Sequence, residues 1–528
     1  MPRMPERPRP NLVLTVIVLL LGLLALAPAT ADSPVPVAVP GVAAPTRPNV
    51  VFILADDLDL AMMQQLPGLQ AMFGPTGTTF THHLVSLSLC CPSRASLLRG
   101  QYAHNTGIYG NKPPTGGFET FHASGVETST IATWLHDAGY RTALFGKYLN
   151  GYPGRDDATF IPPGWDEWAV PNHGNAYAQY DYSLNENGRV VTYGDRNRDY
   201  LTSVIARKAT TFLTDGPKGP FFLFLAPLGP HSPATPPPRH ANALPDLVAP
   251  APPAFNEADL SDKPAWLRGF LPLGPRQLTK IDTLYRKRVL SMLGIQDLVA
   301  DVVEALQASG QLGNTWIVFT SDNGFHMGEH RLTPGKNTAF DTDLRVPLLI
   351  RGPGVPAGRT IDALTANIDF APTFAALAGI PTPDWVDGRS LLPLLHDPGA
   401  PWREALLLEH GGPESIDTAG QPDGSGLREP PDAAGSEESP EDTGDTPERP
   451  GNGANGVPVF TGVRTTRHTY VRYTTGEQEL YDNVADPDQL DNLATTADPA
   501  LLTSLNDWTR RLVRCVGAGC REAESAEE

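Results

Sequence analysis

One local pattern recurs along the chain: a short, wholly apolar run that breaks off at polar residues. Val50-Val51-Phe52-Ile53-Leu54 runs into Ala55-Asp56-Asp57, and Thr142-Ala143-Leu144-Phe145 into Gly146-Lys147. Phe221-Phe222-Leu223-Phe224-Leu225 leads to Pro230-His231, and Trp316-Ile317-Val318-Phe319-Thr320 to Ser321-Asp322-Asn323-Gly324. Runs of this length without alternation predict strands buried on both faces, as in a mostly parallel sheet. Between them the spacing predicts helices over 130–138 and 295–307. In the second, Ile295, Leu298, Val299, Val302 and Leu306 form one stripe, and Gly310 stands just past its end. Residues 457–473 alternate like antiparallel strands, and 501–513 read as a helix. The fold class expected is therefore α/β, a large mostly parallel sheet flanked by helices, with a smaller C-terminal α+β domain. Ligands of such sheets gather beyond the carboxyl ends of the strands. Asp56, Asp57, Lys147, His231, Asp322 and Asn323 all stand there and are expected to converge on one crevice.

Composition sets the boundaries. Arg3, Arg7 and Arg9 precede an apolar run over 12–27 and the small residues Ala29-Thr30-Ala31, so residues 1–31 read as a cleaved secretory signal peptide. The run is short for a membrane span; the expectation is a secreted, extracellular chain with no stable membrane anchor. Residues 32–48, rich in Pro and Val, read as a tether, 49–395 as the main domain, and 396–523 as the C-terminal subdomain. An insert at 411–455 of Gly, Pro, Ser, Glu and Asp interrupts that subdomain and has too little apolar surface to order. The Pro- and Ala-rich stretch 233–275 reads as a surface excursion near the crevice. A formal net charge of -19 argues against nucleic acid or an anionic membrane as partner. Four cysteines in an exported chain of 528 residues do not hold a fold together. Cys515 and Cys520 flank a short Gly-containing segment and can pair locally. Cys90 and Cys91 are adjacent, where a bridge of normal geometry is rare, so they need another explanation.

Cys90-Cys91-Pro92-Ser93-Arg94 leads into Ala95-Ser96-Leu97-Leu98, which should start a helix. Cys90 would then sit at the helix N-terminus, where unpaired amides and the helix dipole favour an anion. Asp56-Asp57 and Asp322-Asn323 offer hard oxygens from two strand ends, suited to Ca²⁺ or Mg²⁺ rather than zinc. Taken singly, the first pair could be a helix cap and the second a turn.

The Cys-x-Pro-Ser-Arg run with Leu98-Arg99-Gly100 resembles the signature of the formylglycine-dependent sulfatase family, which has an alkaline-phosphatase-like fold. Gly146-Lys147-Tyr148, Pro230-His231-Ser232-Pro233 and Gly335-Lys336-Asn337 ahead of Arg345-Val346-Pro347 match further family segments. So do Asp387-Gly388-Arg389-Ser390-Leu391, Glu479-Leu480-Tyr481-Asp482 and Asn492-Leu493-Ala494. In motif detail the chain looks most like N-acetylglucosamine-6-sulfatases. Two positions depart from the family: Arg99 replaces the more usual threonine, and Leu149 stands where many members carry a histidine, with Asn150 as a substitute. His326 and His330 are candidate neighbours without an assigned role.

The resemblance implies hydrolysis of sulfate esters, with a sulfated sugar or an aryl sulfate as substrate. It implies that a maturation enzyme oxidises Cys90 to formylglycine, whose hydrate attacks sulfur. Asp56, Asp57, Asp322, Asn323 and position 90 would hold one divalent cation, Ca²⁺ in preference to Mg²⁺. Lys147 and Lys336 would balance charge on the sulfate, Arg94 would hold the hydrated aldehyde, and His231, with Lys336 as rival, would protonate the leaving alcohol. Two other readings stay open: a phosphomonoester or phosphonate hydrolase with the same ligands, and a non-catalytic carbohydrate-binding relative.

Overall fold

The computed structural model describes residues 47–154, 157–215, 219–412 and 456–525, with the backbone alone at 426–427. The expected leader, most of the tether and most of the acidic insert lie outside the described residues.

Ten strands and the two-residue segment Gly426–Leu427 make one eleven-stranded sheet. The strands are β1 (Asn49–Ala55), β2 (Gly77–Phe80), β3 (Arg141–Gly146), β4 (Glu167–Gly174), β5 (Tyr182–Glu186), β6 (Arg189–Tyr193), β7 (Phe221–Ala226), β8 (Thr315–Ser321), β9 (Leu348–Arg351) and β10 (Arg359–Ile361). Their order is β10-β2-β9-β8-β1-β7-β3-β4-β5-β6, with Gly426–Leu427 beside β4. The central run β8-β1-β7-β3-β4 is parallel throughout. Antiparallel pairs lie only towards the edges.

Each of the four apolar runs became a central strand, because a strand with apolar side chains on both sides needs helices on both faces. In β1, Val51 and Ile53 enter one core with α3 (Leu201–Asp215) and α4 (Pro275–Ala308). Val50, Phe52 and Leu54 enter the other, with α1 (Cys90–Arg99), α2 (Ile131–Asp137) and α5 (Phe370–Ala378). α2 falls within the predicted 130–138, with Thr130 at its N-cap position, and α4 is longer than the predicted 295–307, starting at Pro275. Among the described residues no helix is long and apolar enough to cross a membrane.

A separate four-stranded antiparallel sheet follows: β11 (Ala405–His410), β12 (Phe460–Thr465), β13 (His468–Tyr473) and β14 (Gln478–Asp482), in sequence order. It packs with α6 (Pro499–Leu512) on a third apolar cluster that also takes Leu84, Val85 and Leu344 from the main fold. The predicted bridge between Cys515 and Cys520 is present.

Candidate active site

Because β8, β1, β7 and β3 are parallel neighbours, their carboxyl ends stand side by side. Ala55 pairs with Ser321, Asp56 bridges Pro230, and Gly146 pairs with Ala226. The next residues along each chain are therefore brought together: Asp57, Asp322 and Asn323, His231, and Lys147. Glycine is required at the turn before Lys147. Gly146 has φ of 115°, and a Cβ there would lie 2.0 Å from the Ala226 carbonyl oxygen. Cys90 opens α1 directly opposite, as the sequence predicts.

The geometry is that of a closed polar cluster. Asp56, Asp57, Asp322, Asn323 and Cys90 are 0% exposed. One ligand atom each from Asp56, Asp57, Cys90 and His231 lies within 4.8 Å of all the others. Lys147 Nζ donates to Asp56 Oδ2 at 2.8 Å, and Lys336 Nζ to Asp57 Oδ1 at 2.7 Å and Cys90 Sγ at 2.9 Å. Arg94 Nε donates to Asp322 Oδ2 at 2.8 Å and its Nη1 to the Lys147 carbonyl at 2.9 Å. The Asp57 amide donates to Asp322 Oδ1 at 3.1 Å, and Asn323 Nδ2 to Asp57 Oδ1 at 2.7 Å. His231 Nδ1 donates to the Ser232 carbonyl at 2.9 Å, which leaves Nε2 facing Asp57 Oδ2 at 3.6 Å. The Tyr177 ring lies 4.6 Å from that imidazole.

Burial pushes the Asp56 carboxyl up, but Lys147, His231, Arg94 and Lys336 together hold it well below its ordinary range. Burial and the adjacent Asp56 carboxylate push Asp322 up to about 6, against the pull of Arg94 and Lys147. Burial also raises the Cys90 thiol to about 11. Burial thus favours the protonated form of an unmodified Cys90, and a protonated thiol is a poor nucleophile.

Three buried oxygens in the cluster, Asp56 Oδ1, Asp57 Oδ2 and Asn323 Oδ1, accept no hydrogen bond among the described residues. Buried acceptors left this way are costly, carboxylate oxygens of Asp56 and Asp57 lie within 4.8 Å of each other, and hard oxygens of this kind are the donors an alkaline-earth cation takes. These residues fit a divalent metal.

The remaining expectations sort themselves by position. Leu149 belongs to the apolar core and, with Asn150, also lines a small cavity bounded by Lys147, Tyr148 and Tyr177. His326 fastens a loop: its Nδ1 bonds Asp343 at 2.9 Å, its backbone pairs with Gly335, and Lys336 follows directly. His330 bonds Glu257 at 2.6 Å and stacks on Phe340, pinning the excursion that follows residue 233. Sequence reasoning missed Tyr177 and Arg288. Arg288 had a readable signal, since it falls on the buried line of α4 through Ile281, Leu284, Tyr285, Met292 and Ile295.

Comparison with known proteins follows the same lines. Residues 48–380 match the family model described as Sulfatase. The chain is 34% identical to the N-acetylglucosamine-6-sulfatase of Homo sapiens over 91% of its own length and 87% of that protein. It is 36% identical to the Extracellular sulfatase SULF-1 homolog of Drosophila melanogaster over 69% of its length, and the match spans only 33% of that protein. A solved structure in complex with its substrate D-glucosamine-2-N,6-O-disulfate superposes with a TM-score of 0.68 at 23% identity, covering 88% of this chain and 97% of that one. Signature, fold and family match agree: the chain belongs to the sulfatase family, hydrolases of sulfuric esters.

Proposed function

We propose that this protein is a secreted sulfatase that removes sulfate from a sulfated amino sugar of the N-acetylglucosamine-6-sulfate type. We further propose that Cys90 is matured to formylglycine by a separate enzyme, and that Asp56, Asp57, Asp322 and Asn323 hold a divalent cation. Calcium suits an all-protein oxygen cage better than magnesium, which tends to keep its waters. The name of the human relative supports the substrate class. Export is supported by the leader pattern of residues 1–31 and by the Cys515–Cys520 bridge, a bond of oxidising compartments.

The observation that carries the reading is the position of residue 90. Its Sγ lies 2.9 Å from Lys336 Nζ and 3.9 Å from Asp57 Oδ1, and within 4.8 Å of one carboxylate oxygen each of Asp56 and Asp57. In this reading the hydrate of formylglycine would supply the oxygen nucleophile, and a cation held by Asp56, Asp57, Asp322 and Asn323 would supply stabilisation of negative charge there. Lys336 is placed to hold a proton or charge at position 90. Lys147, anchored on Asp56, faces the same space and neutralises sulfate oxygens. Arg94 braces Asp322 and the carbonyl of Lys147, so it joins α1 to two strand ends. His231 spends one ring N–H on the Ser232 carbonyl; protonating the leaving alcohol therefore requires a second proton on Nε2, where the Asp57 carboxylate is an electrostatic partner.

Formal charge supports an anionic substrate. Asp56, Asp57 and Asp322 cancel Arg94, Lys147 and Lys336, so a bound divalent cation leaves the pocket positive. A phosphate or phosphonate ester would satisfy the same charge, so the deciding experiment uses matched esters. Protein from its own host is assayed on N-acetylglucosamine 6-sulfate and 6-phosphate, and the peptide carrying residue 90 is weighed. The expected result is a formylglycine mass and faster sulfate release. Faster phosphate release would reassign the reaction, and an intact cysteine in fully active protein would overturn the nucleophile.

A further inference from the structure

Arg288 lies in the middle of α4 and is 0% exposed, an expensive place for a guanidinium unless its charge is met. Its Nε donates to no partner among the described residues, and the two terminal nitrogens carry the contacts. It is held by the active-site loops. Its Nη2 donates to the Asp57 carbonyl and its Nη1 to the Pro230 carbonyl at 3.3 Å. Asp59 Oδ2 lies 3.5 Å from Nη2, and the Phe325 ring sits 4.1 Å beneath the guanidinium carbon. These partners belong to three separate loops, following β1, β7 and β8. Asp57 is itself a candidate ligand, Pro230 precedes His231, and Phe325 comes two residues after Asn323.

Asp57 needs such a partner. Its φ is 67°, a left-handed conformation that is uncommon for a residue with a Cβ, though less costly for Asp than for most. Its side chain is fixed by Lys336 and Asn323 and its amide by Asp322 Oδ1. The carbonyl is the remaining handle, and Arg288 takes it. A planar fork with several fixed donors can bridge two carbonyls of different loops; a lysine ammonium is a single point on a flexible stem.

We propose that Arg288 is a positioning residue, a clamp that holds the Asp57 and His231 loops in register with the Asn323 loop and so preorganises the cation site. The inference deepens the proposed function and rests on its placing of the cation. Residues that orient ligands from behind typically change metal affinity or activity by about 10–100-fold when removed.

The test compares wild type, Arg288→Lys and Arg288→Met, each matured at residue 90. Calcium is titrated calorimetrically into cation-free protein, and kcat and KM are measured at saturating calcium. Hydrogen exchange of peptides covering 56–59 and 229–232 is followed without cation. The clamp predicts calcium affinity and kcat lower by at least about tenfold in Arg288→Met, with KM little changed. It predicts faster exchange in both loops and smaller losses of the same kind in Arg288→Lys. If Arg288→Met does not fold, Arg288→Lys decides alone, because it keeps charge and volume but not the fork. Wild-type affinity, kcat and loop exchange in Arg288→Lys and any folded Arg288→Met would overturn the clamp. So would a loss confined to KM or to the thermal midpoint. If the wild type binds no divalent cation, the metal site is refuted instead, and loop exchange still judges the clamp.

Discussion

At the scale of single residues, the site is a set of charges that no one of them could sustain. Asp56, Asp57 and Asp322 stay buried because Lys147, Lys336 and Arg94 meet them with hydrogen bonds of 2.7–2.8 Å. The two lysines do different work. Lys336 reaches both Asp57 and position 90, while Lys147 is anchored on Asp56 and stands 5.3 Å above the Tyr177 ring. Replacing either by alanine should lower kcat by about 10²–10³, the usual cost of losing one preorganised charge partner of the transition state. Steady-state turnover on a sulfated sugar checks this, and unchanged kcat in Lys336→Ala would remove that residue from the chemistry. Leu149 packs into the apolar core and lines the small cavity beside Lys147, where an aliphatic side chain can supply no proton.

At the scale of elements, the C-terminal segment ties together the chain after α1 and the chain leading into β11. Glu524 is 0% exposed; it bonds Arg403 at 2.9 Å, Arg389 at 2.6 Å and the Tyr102 hydroxyl at 2.5 Å, and its carbonyl accepts the backbone amides of Glu404 and Ala405 at the start of β11. Glu524→Ala would leave the buried Arg403 guanidinium with one carboxylate partner fewer. That should cost about 3–5 kcal/mol, read by urea unfolding. A second tie is sensitive to pH. Both ring nitrogens of His104 face acceptors, Glu409 at 3.0 Å and the Cys515 carbonyl at 2.9 Å, so the pairing is complete only for the imidazolium. Burial lowers its pKa, but the Glu409 carboxylate, the Cys515 carbonyl and Asp387 outweigh it, and the net is a rise to about 8. A folded pKa above the unfolded value stabilises fully below about 6.5, and the gain fades as pH rises through about 8. The stability margin of wild type over His104→Gln should therefore shrink by about 2 kcal/mol between pH 6 and pH 8.5. Equal margins at the two pH values would mean that His104 is neutral throughout.

At the scale of the whole molecule, a chain of net charge -19 would meet an anionic ester at a pocket whose side-chain charges balance and which a bound divalent cation would make positive. Calcium binding to the folded state alone should raise the unfolding free energy by about 2.7 kcal/mol at a hundredfold excess over Kd, and chelation should reverse it. Thermal scans with and without calcium measure the difference. A midpoint indifferent to calcium, magnesium and chelator would count against the metal site. The negative surface and the acidic stretch 411–455 should repel long polyanions at distances up to about 10 Å at 0.1 M salt. Turnover should therefore favour small or terminal sulfated groups, and the preference should weaken as salt is added. Rates that rise with chain length at low salt would contradict this.

The central strands and the chemistry at their ends were legible in the sequence because both are written locally. An apolar run with no alternation has only a doubly covered sheet to enter, and Asp56, Lys147, His231 and Asp322 follow such runs within a few residues. The signature around Cys90 is likewise contiguous. The first half of α4 was not legible, since Arg276, Lys280, Asp282 and Lys287 surround its thin buried line and blur the apolar stripe. Nor were the partners of Arg288, Glu524, His104 and His326, because each pairing joins groups that meet only when separate loops and strands pack together. Local sequence determined which residues stand at the strand ends. Tertiary structure decided which charges meet and which oxygens are left for a cation, since burial and hydrogen bonding are properties of the assembled fold.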